Sequence, residues 1–474
     1  ICGRLSNLLS QLAHKIQILR ALCGQGEVLM HEAHQASVIF GLDPVWYAGV
    51  LFVLTYTLIV AERLNRAIVA VSMASLMVVG GVLTQEAAVQ GIYFNTIGLL
   101  TGMMVIVGIT RKSGVFQYVA IWSTKKVNAD PWGILVMLVL VTAVLSALLD
   151  NVTTVLLIAP VTLLITDSLK ISAYPFLFAE ILASNIGGTA TLIGDPPNIM
   201  IGSAVGLSFN DFLINLAPVV LIILPVTMIP IYLIWGRKLS AKPEHREQVM
   251  RYREIDAIKD SRLLIKSLSV LALVMTGFIL AHPLHLQPAT IAMFGAALLL
   301  LIYSLPRSSS DQSRQLEKIF SRVEWITIFF FMGLFVIVYG VERTGLLEML
   351  AHRVLELTGG DATMTTISII WASAVASALV DNIPFVATMI PLIESMAPTF
   401  GGADQLMPIW WSLALGSCLG GNGSLVGASA NLIVAGFAER DGQPIRFLPF
   451  MLLAFPLMLA SIAVSTLYVY LRYF

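Results

Sequence analysis

The chain has 474 residues, of which 57% are hydrophobic and 12% charged, against ~25% charged in soluble proteins. With a mean hydropathy of +0.86, it has too few charges to cover its apolar surface in water, which excludes an array of soluble domains. The 28 Lys+Arg balance the 28 Asp+Glu, so there is no basic excess for a nucleic-acid partner. Three cysteines (Cys2, Cys23 and Cys418) are too few and too scattered for a disulfide framework or a zinc site. An all-α polytopic membrane protein is predicted, with the lipid bilayer as its constant partner.

Residues 1–44 form a separate N-terminal segment. Leu5, Leu8, Leu9, Leu12, Ile16 and Leu19 share one helical face opposite Arg4, Lys15 and Arg20. This is an amphipathic helix on the membrane or an ordinary solvated terminal helix, without a signal-peptide cleavage pattern. In a first half, 45–236, the runs 45–62, 65–83, 93–110 and 213–236 are each about one bilayer span long. The run 131–168 is too long for one span and carries Asp150-Asn151 in its middle, so it is predicted as a re-entrant helical hairpin. The run 174–206 is interrupted by glycines and polar residues and is predicted as a broken helix. A charged cytoplasmic loop, 237–261, follows. The second half, 262–474, offers spans at 262–281, 287–305, 326–342 and 447–471. It adds a hairpin at 363–399 around Asp381-Asn382 and a broken helix at 405–436. Non-helical backbone at membrane depth survives only where protein or a watery cavity satisfies it, so these four interruptions are the candidate machinery.

Orientation follows from the basic residues. With residue 44 outside, the inner face receives Arg63, Arg66, Arg111, Lys112, Lys125, Lys126, Lys170, seven Lys/Arg of 237–261, and Arg307, Arg314, Lys318 and Arg322. The outer loops carry mainly Arg343 and Arg353. The expected location is a cell (inner) membrane. Trp46, Trp122, Trp132, Trp235, Trp325, Trp410 and Trp411 fall near span ends, as an interfacial belt should.

The two halves repeat one another. Gly102-Met-Met-Val-Ile-Val matches Gly333-Leu-Phe-Val-Ile-Val. Ser146-Ala-Leu-Leu-Asp150-Asn151 matches Ser377-Ala-Leu-Val-Asp381-Asn382. Gly187-Gly188-Thr-Ala-Thr-Leu-Ile-Gly194-Asp-Pro-Pro-Asn198 matches Gly420-Gly421-Asn-Gly-Ser-Leu-Val-Gly427-Ala-Ser-Ala-Asn431. With five spans and one hairpin per half, the second half starts on the opposite side, so the repeat is expected to be inverted. Inverted repeats with paired broken helices are the architecture of secondary transporters, with the site near the midplane.

A carboxylate inside a membrane is a functional hypothesis by default. Asp150 and Asp381 can carry a proton or coordinate Na+; the structural alternative is a cap on the N–H groups of each hairpin tip. Asn151 and Asn382 supply a donor and an acceptor without charge, for solute or for capping. In the broken loops, Gly187, Gly188, Gly420 and Gly421 let backbone approach a ligand closely. The half-helix ends there can bind an oxygen-rich solute or a cation. Thr189, Thr191, Asn198, Asn422, Ser424, Ser429 and Asn431 add neutral polar groups. Asp195 has Ala428 as its counterpart and is the one asymmetric charge, or else a helix N-cap before Pro196. Cys418 stands where the first half has Asn185, as a thiol near the site or a small residue at a tight helix contact. Glu180 and Glu394 also lie in apolar runs and have no acidic twins.

Other classes fit poorly. No GxxxxGK[ST] points to ATP hydrolysis. His31-Glu-Ala-His34 lacks the zincin spacing, and all seven histidines lie outside the interruptions. No potassium-type filter motif is present. An enzyme, a metal centre and a cofactor are not expected.

The stretches Ser146–Thr162 and Asn185–Asn198, with Asp381-Asn-Ile-Pro-Phe and Gly420–Asn431, resemble the ArsB/NhaD permease family of the ion transporter superfamily, in the branch with arsenite permeases and the melanosomal P protein. The resemblance covers about residues 44–474. It implies alternating-access transport driven by an ion gradient. Related divalent-anion symporters carry Ser-Asn-Thr at their hairpin tips, whereas this chain has Asp-Asn-Val and Asp-Asn-Ile, which argues against a dicarboxylate. The implied function is proton-coupled efflux of arsenite or antimonite, with Asp150 and Asp381 as proton carriers; the alternative is Na+/H+ antiport. The implied partners are a small inorganic solute, a separate ATPase subunit, and a second copy in a homodimer.

Overall fold

The computed structural model describes residues 38, 41–61, 63–305 and 308–474. The amphipathic segment read over 1–44 therefore lies almost wholly outside the described residues, as does Arg307. The described chain is helical, without strands. Asp43 caps α1 (Pro44–Val60), its carboxylate accepting from Val45 N at 2.7 Å. After it come α2 (Arg66–Val79), the short α3 (Gln85–Gln90), α4 (Phe94–Thr110) and α5 (Val115–Lys126). The first hairpin is α6 (Pro131–Leu148) with α7 (Asn151–Leu169). The first broken helix is α8 (Tyr174–Gly188) with α9 (Pro196–Val205), followed by α10 (Phe209–Asn215) and α11 (Ala217–Ile231). Between the halves lies α12 (Pro243–Met250). The second half runs through α13 (Ser261–Ile279), α14 (Pro288–Ser304), α15 (Ser309–Phe320), α16 (Trp325–Arg343) and α17 (Leu346–Thr358). Its hairpin is α18 (Ala362–Leu379) with α19 (Asn382–Glu394). Its broken helix is α20 (Met407–Gly420) with α21 (Ser429–Arg440), and α22 (Phe447–Tyr473) closes the chain. Eight of these helices are long and apolar enough to cross a membrane.

Several expectations need correction. The span read over 65–83 is shorter. It ends at Val79, because Gly80 caps it and Gly81 takes φ +82, which leaves 14 helical residues and about 21 Å of length. Helices α5 and α17 were not expected. Each starts at a glycine with positive φ, Gly114 (+86) and Gly345 (+78), so each of the third spans turns sharply into a helix that leads to its hairpin. Trp410 and Trp411 do not belong to an interfacial belt. They are 1% and 3% exposed, and Trp411 meets Phe212 edge-on at 5.2 Å between ring centres.

The stretch 237–261 is no free loop either. Lys125 Nζ pairs with Glu254 Oε2 at 2.6 Å, Arg246 Nη2 donates to Asn128 O at 2.9 Å, and Lys259 N donates to Ser113 O at 2.9 Å. Tyr252 and Ser168 share a hydroxyl contact at 2.8 Å, and Val249 is buried. The hydrogen bond from Lys125 holds the Glu254 carboxyl below its ordinary range. This tie is therefore in place above the usual glutamate range and is lost as the pH falls through the lowered value.

The broken helices form the centre. Every residue from Pro175 to Gly188 and from Ile409 to Gly420 is buried. Outer helices turn apolar side chains outward, including Val53, Leu221, Ile229, Leu273 and Leu467, as a lipid-facing surface requires. The halves interlock through their third spans. Helix α4 lies along α14, and α16 lies along α2. A Cβ added to Gly102 would sit 2.7 Å from the Ala292 carbonyl carbon, and one on Gly333 would sit 2.6 Å from that of Ala70. The repeated Gly-x-x-Val-Ile-Val motif is thus a close-approach device between the halves.

Gly102→Val or Gly333→Val should cost ~1–3 kcal/mol of overpacking or more. Gly108→Ala, where nothing lies within 4 Å of an added Cβ, should be neutral or gain up to ~1 kcal/mol of helix propensity. Thermal melting of the purified chain in detergent distinguishes them.

Candidate transport site where the halves meet

Each break is closed by the same hydrogen bonds in both halves. In the first, Ser146 Oγ donates to Ser184 O at 2.6 Å and Thr191 Oγ1 to Ala147 O at 2.5 Å. Asn198 Nδ2 donates to Thr189 O at 3.1 Å and Thr191 O at 2.9 Å. In the second, Ser377 Oγ donates to Ser417 O at 2.6 Å and Ser424 Oγ to Ala378 O at 2.5 Å. Asn431 Nδ2 donates to Gly421 O and Ser424 O, both at 2.8 Å. Each hairpin is pinned by hydroxyls to the broken loop of its own half. Gly187 and Gly420 abut the Ala143 and Ala374 backbones, and Gly188 and Gly421 face Gly194 and Gly427 across their own loops. These glycines make room for protein backbone, where the sequence suggested a ligand.

The centre joins the halves through side-chain amides. Asn185 Nδ2 donates to Asn422 Oδ1 and Asn431 Oδ1, both at 3.0 Å, and Asn151 Nδ2 donates to Asn185 Oδ1 at 3.1 Å. Cys418 takes the position equivalent to Asn185. Its thiol, fully buried, lies 3.4 Å from Asn198 Oδ1, the counterpart of the Asn185–Asn431 contact. Cys418 is therefore a small buried donor at a contact between the halves.

The tip aspartates differ in their surroundings. Both cap their helices: Asp150 Oδ1 accepts from Thr153 N at 2.7 Å and Asp381 Oδ1 from Ile383 N at 3.2 Å. Asp381 Oδ2 also accepts from Arg66 Nη1 at 2.6 Å and from Ser429 Oγ at 2.9 Å, and Arg66 Nη1 donates to Ser429 Oγ at 2.6 Å. The Arg66 guanidinium stacks over Phe330, 5.0 Å from its ring centre. Asp150 forms no ion pair among the described residues. Asp195 is the N-cap residue of α9, but its side chain makes no capping bond. Its Oδ1 accepts from Asn382 Nδ2 of the opposite hairpin at 3.3 Å, and its Oδ2 is buried without a partner.

A cavity of about 410 Å3 reaches this region, lined by Asn65, Arg66, Val152, Glu324, Asp381 and Ser429 among others. Arg66 was read from the sequence only as a loop charge. Its position as the first residue of an apolar helix, directly after the capping Asn65, was the available signal. Tyr56 was also missed. Its hydroxyl donates to Pro384 O and lies 2.5 Å from Thr388 Oγ1, fastening α19 to α1. Glu394 ends α19 with an exposed side chain, directly after the buried run Met389–Ile393. Glu180 is buried, with Thr162 donating to Oε1 and no partner for Oε2.

A family model described as CitMHS, citrate transporter, matches residues 56–416. An uncharacterized transporter of Mycobacterium tuberculosis is 44% identical over 432 residues, covering 90% of this chain and 98% of its own. The human P protein is 32% identical, covering 87% of this chain and 58% of its own. Among solved structures, the YdaH transporter of Alcanivorax borkumensis superposes with a TM-score of 0.56 at 13% identity, over 90% of this chain and 98% of that one. MtrF of Neisseria gonorrhoeae, described in a class of antimetabolite efflux pumps, gives 0.55 at 11%, over 92% and 96%. At such identities these two structures speak for the fold.

The Arg66–Asp381 pair is partly buried, with side chains 26% and 12% exposed. Arg66→Ala should cost ~1–3 kcal/mol more when Asp381 is present than in an Asp381→Asn background, because it leaves the carboxylate without its countercharge. Melting of the two single variants and the double variant measures that coupling; additivity would show that the pair contributes nothing.

Proposed function

Because this chain belongs to the CitMHS citrate transporter family of multi-pass membrane transporters, we propose that it is a secondary active transporter of the ArsB/NhaD branch that exports arsenous or antimonous acid in exchange for protons. The observation that carries this reading is the charge at the centre. Four carboxylates, Asp150, Asp195, Asp381 and Glu324, stand there with Arg66, whose guanidinium already bonds Asp381. With those carboxylates ionised, a polycarboxylate such as citrate would meet net negative charge. An uncharged hydroxide would meet no such repulsion and could exchange hydrogen bonds with carboxamides that both donate and accept, such as Asn151, Asn382 and Asn422. The matching hydrogen bonds of the two halves support two equivalent units that rock against one another, as alternating access from an inverted repeat needs.

The second reading, Na+/H+ antiport, is favoured by one atom. Asp195 Oδ2 is buried with no hydrogen-bond partner, and such an oxygen can take a proton or a small cation. In both readings Asp150 and Asp195 are carboxylates without a matching positive charge, and Asp195 joins the tip aspartates as a coupling residue. A cell's inner membrane, a separate ATPase subunit and a homodimer through the outer spans belong to the same proposal.

Asp195→Asn keeps the size of the side chain and an oxygen for Asn382, but holds no exchangeable proton. In everted vesicles, arsenite flux driven by a pH gradient should fall by about tenfold or more in Asp195→Asn and in Asp150→Asn, the size of a lost coupling free energy. The same gradient applied with Na+ tests the second reading. Near-normal flux of both solutes in both variants would remove these carboxylates from coupling.

A further inference from the structure

A second cavity, of about 520 Å3, lies away from the transport site and is lined by four basic residues: Arg111, Lys112, Lys259 and Arg322. They come from three separate places, namely the turn after α4, the strand of chain leading into α13, and the turn after α15. No acidic residue lines the cavity. Among the described residues, none of the four is in a salt bridge. Asp260, next to Lys259 in sequence, accepts from Leu263 N as the cap of α13. Lys112 is held in place by Tyr303, with Nζ 3.3 Å from the hydroxyl and 5.0 Å from the ring centre. The opposite wall is apolar and belongs to α7, through Leu156, Leu157, Pro160 and Val161.

Four like charges gathered around one hollow repel one another and call for an anion. The ends of α4, α13 and α16 are where apolar helices pass into charged chain, so the hollow sits at headgroup depth. A free anion would use the cations and leave the leucine and proline wall bare. A glycerophospholipid fits both surfaces, with phosphate among the cations and glycerol and upper acyl carbons against α7. Basic pockets between membrane helices bind anionic headgroups in this way. We propose that this cavity is a binding site for the phosphodiester headgroup of an anionic phospholipid. Bound there, the lipid bridges the turn after α4 and the chain before α13 to α7, the hairpin arm whose first turn Asp150 caps.

The test uses the full chain in detergent, stripped of lipid and titrated with phosphatidylglycerol, phosphatidylcholine or inorganic phosphate, with bound lipid counted by native mass spectrometry. The expected result is preferential retention of phosphatidylglycerol, weakened about tenfold or more in Arg111→Gln/Lys259→Gln/Arg322→Gln. The control variant Arg237→Gln/Lys238→Gln/Lys242→Gln removes as many charges elsewhere and should retain the lipid. The single change Lys259→Glu, at an exposed side chain, should weaken retention in the same direction and covers the case of a poorly folding triple variant. Equal retention of the two lipids, equal loss in the control variant, or displacement of phosphatidylglycerol by phosphate alone would each overturn the proposal.

Discussion

Breaking a helix inside a membrane strands carbonyl and amide groups where water cannot reach them, and their satisfaction governs the centre of this protein. Both halves meet the demand in the same way. An asparagine after the break, Asn198 or Asn431, returns its amide to the carbonyls before it. A loop hydroxyl, from Thr191 or Ser424, covers the last turn of the hairpin's first arm. Loop and hairpin tip become one unit, so motion of one carries the other. Much of the polar inventory that looks like a binding site is thereby committed to backbone. Among the described residues of the centre, the Asp195 Oδ2 oxygen is left without a partner, whereas the amides where the halves touch bond one another.

Function enters where the two halves depart from one another. Asp195 faces Asn382 across the interface, whereas its counterpart Ala428 offers nothing to Asn151, which turns to Asn185. Arg66 meets Asp381, while the helix equivalent to α2 in the second half, α14, opens with Pro288 and contains no basic residue. Cys418 replaces Asn185. In a frame whose hydrogen bonds repeat, the charges do not: one hairpin tip carries a built-in countercharge and the other does not.

The frame was legible in the sequence because motifs repeated at constant spacing and long apolar runs leave few ways to fold in a bilayer. The helix breaks at Asp150 and Asp381 and those within 174–206 and 405–436 follow from that alone. Helices α5 and α17 escaped notice because they are too short and too polar to register as spans, and their signal rests on Gly114 and Gly345. The partners of the tip aspartates were not legible. Arg66 lies 315 residues from Asp381, and no local pattern links an arginine at the start of one span to a hairpin in the other half. Asp195 could be singled out by its missing twin, but whether it capped a helix or faced the opposite hairpin depended on packing between the halves.

The charge of the centre is the point on which the account stands, and it is tested by the solute that moves. Purified chain in proteoliposomes, given an imposed pH gradient, can be followed in parallel with arsenite and with citrate. Arsenite movement that follows the gradient, with citrate neither moving nor competing, is the predicted result. Gradient-driven citrate accumulation with arsenite left in place would contradict it, since it would require four carboxylates and one paired arginine to welcome a polyanion.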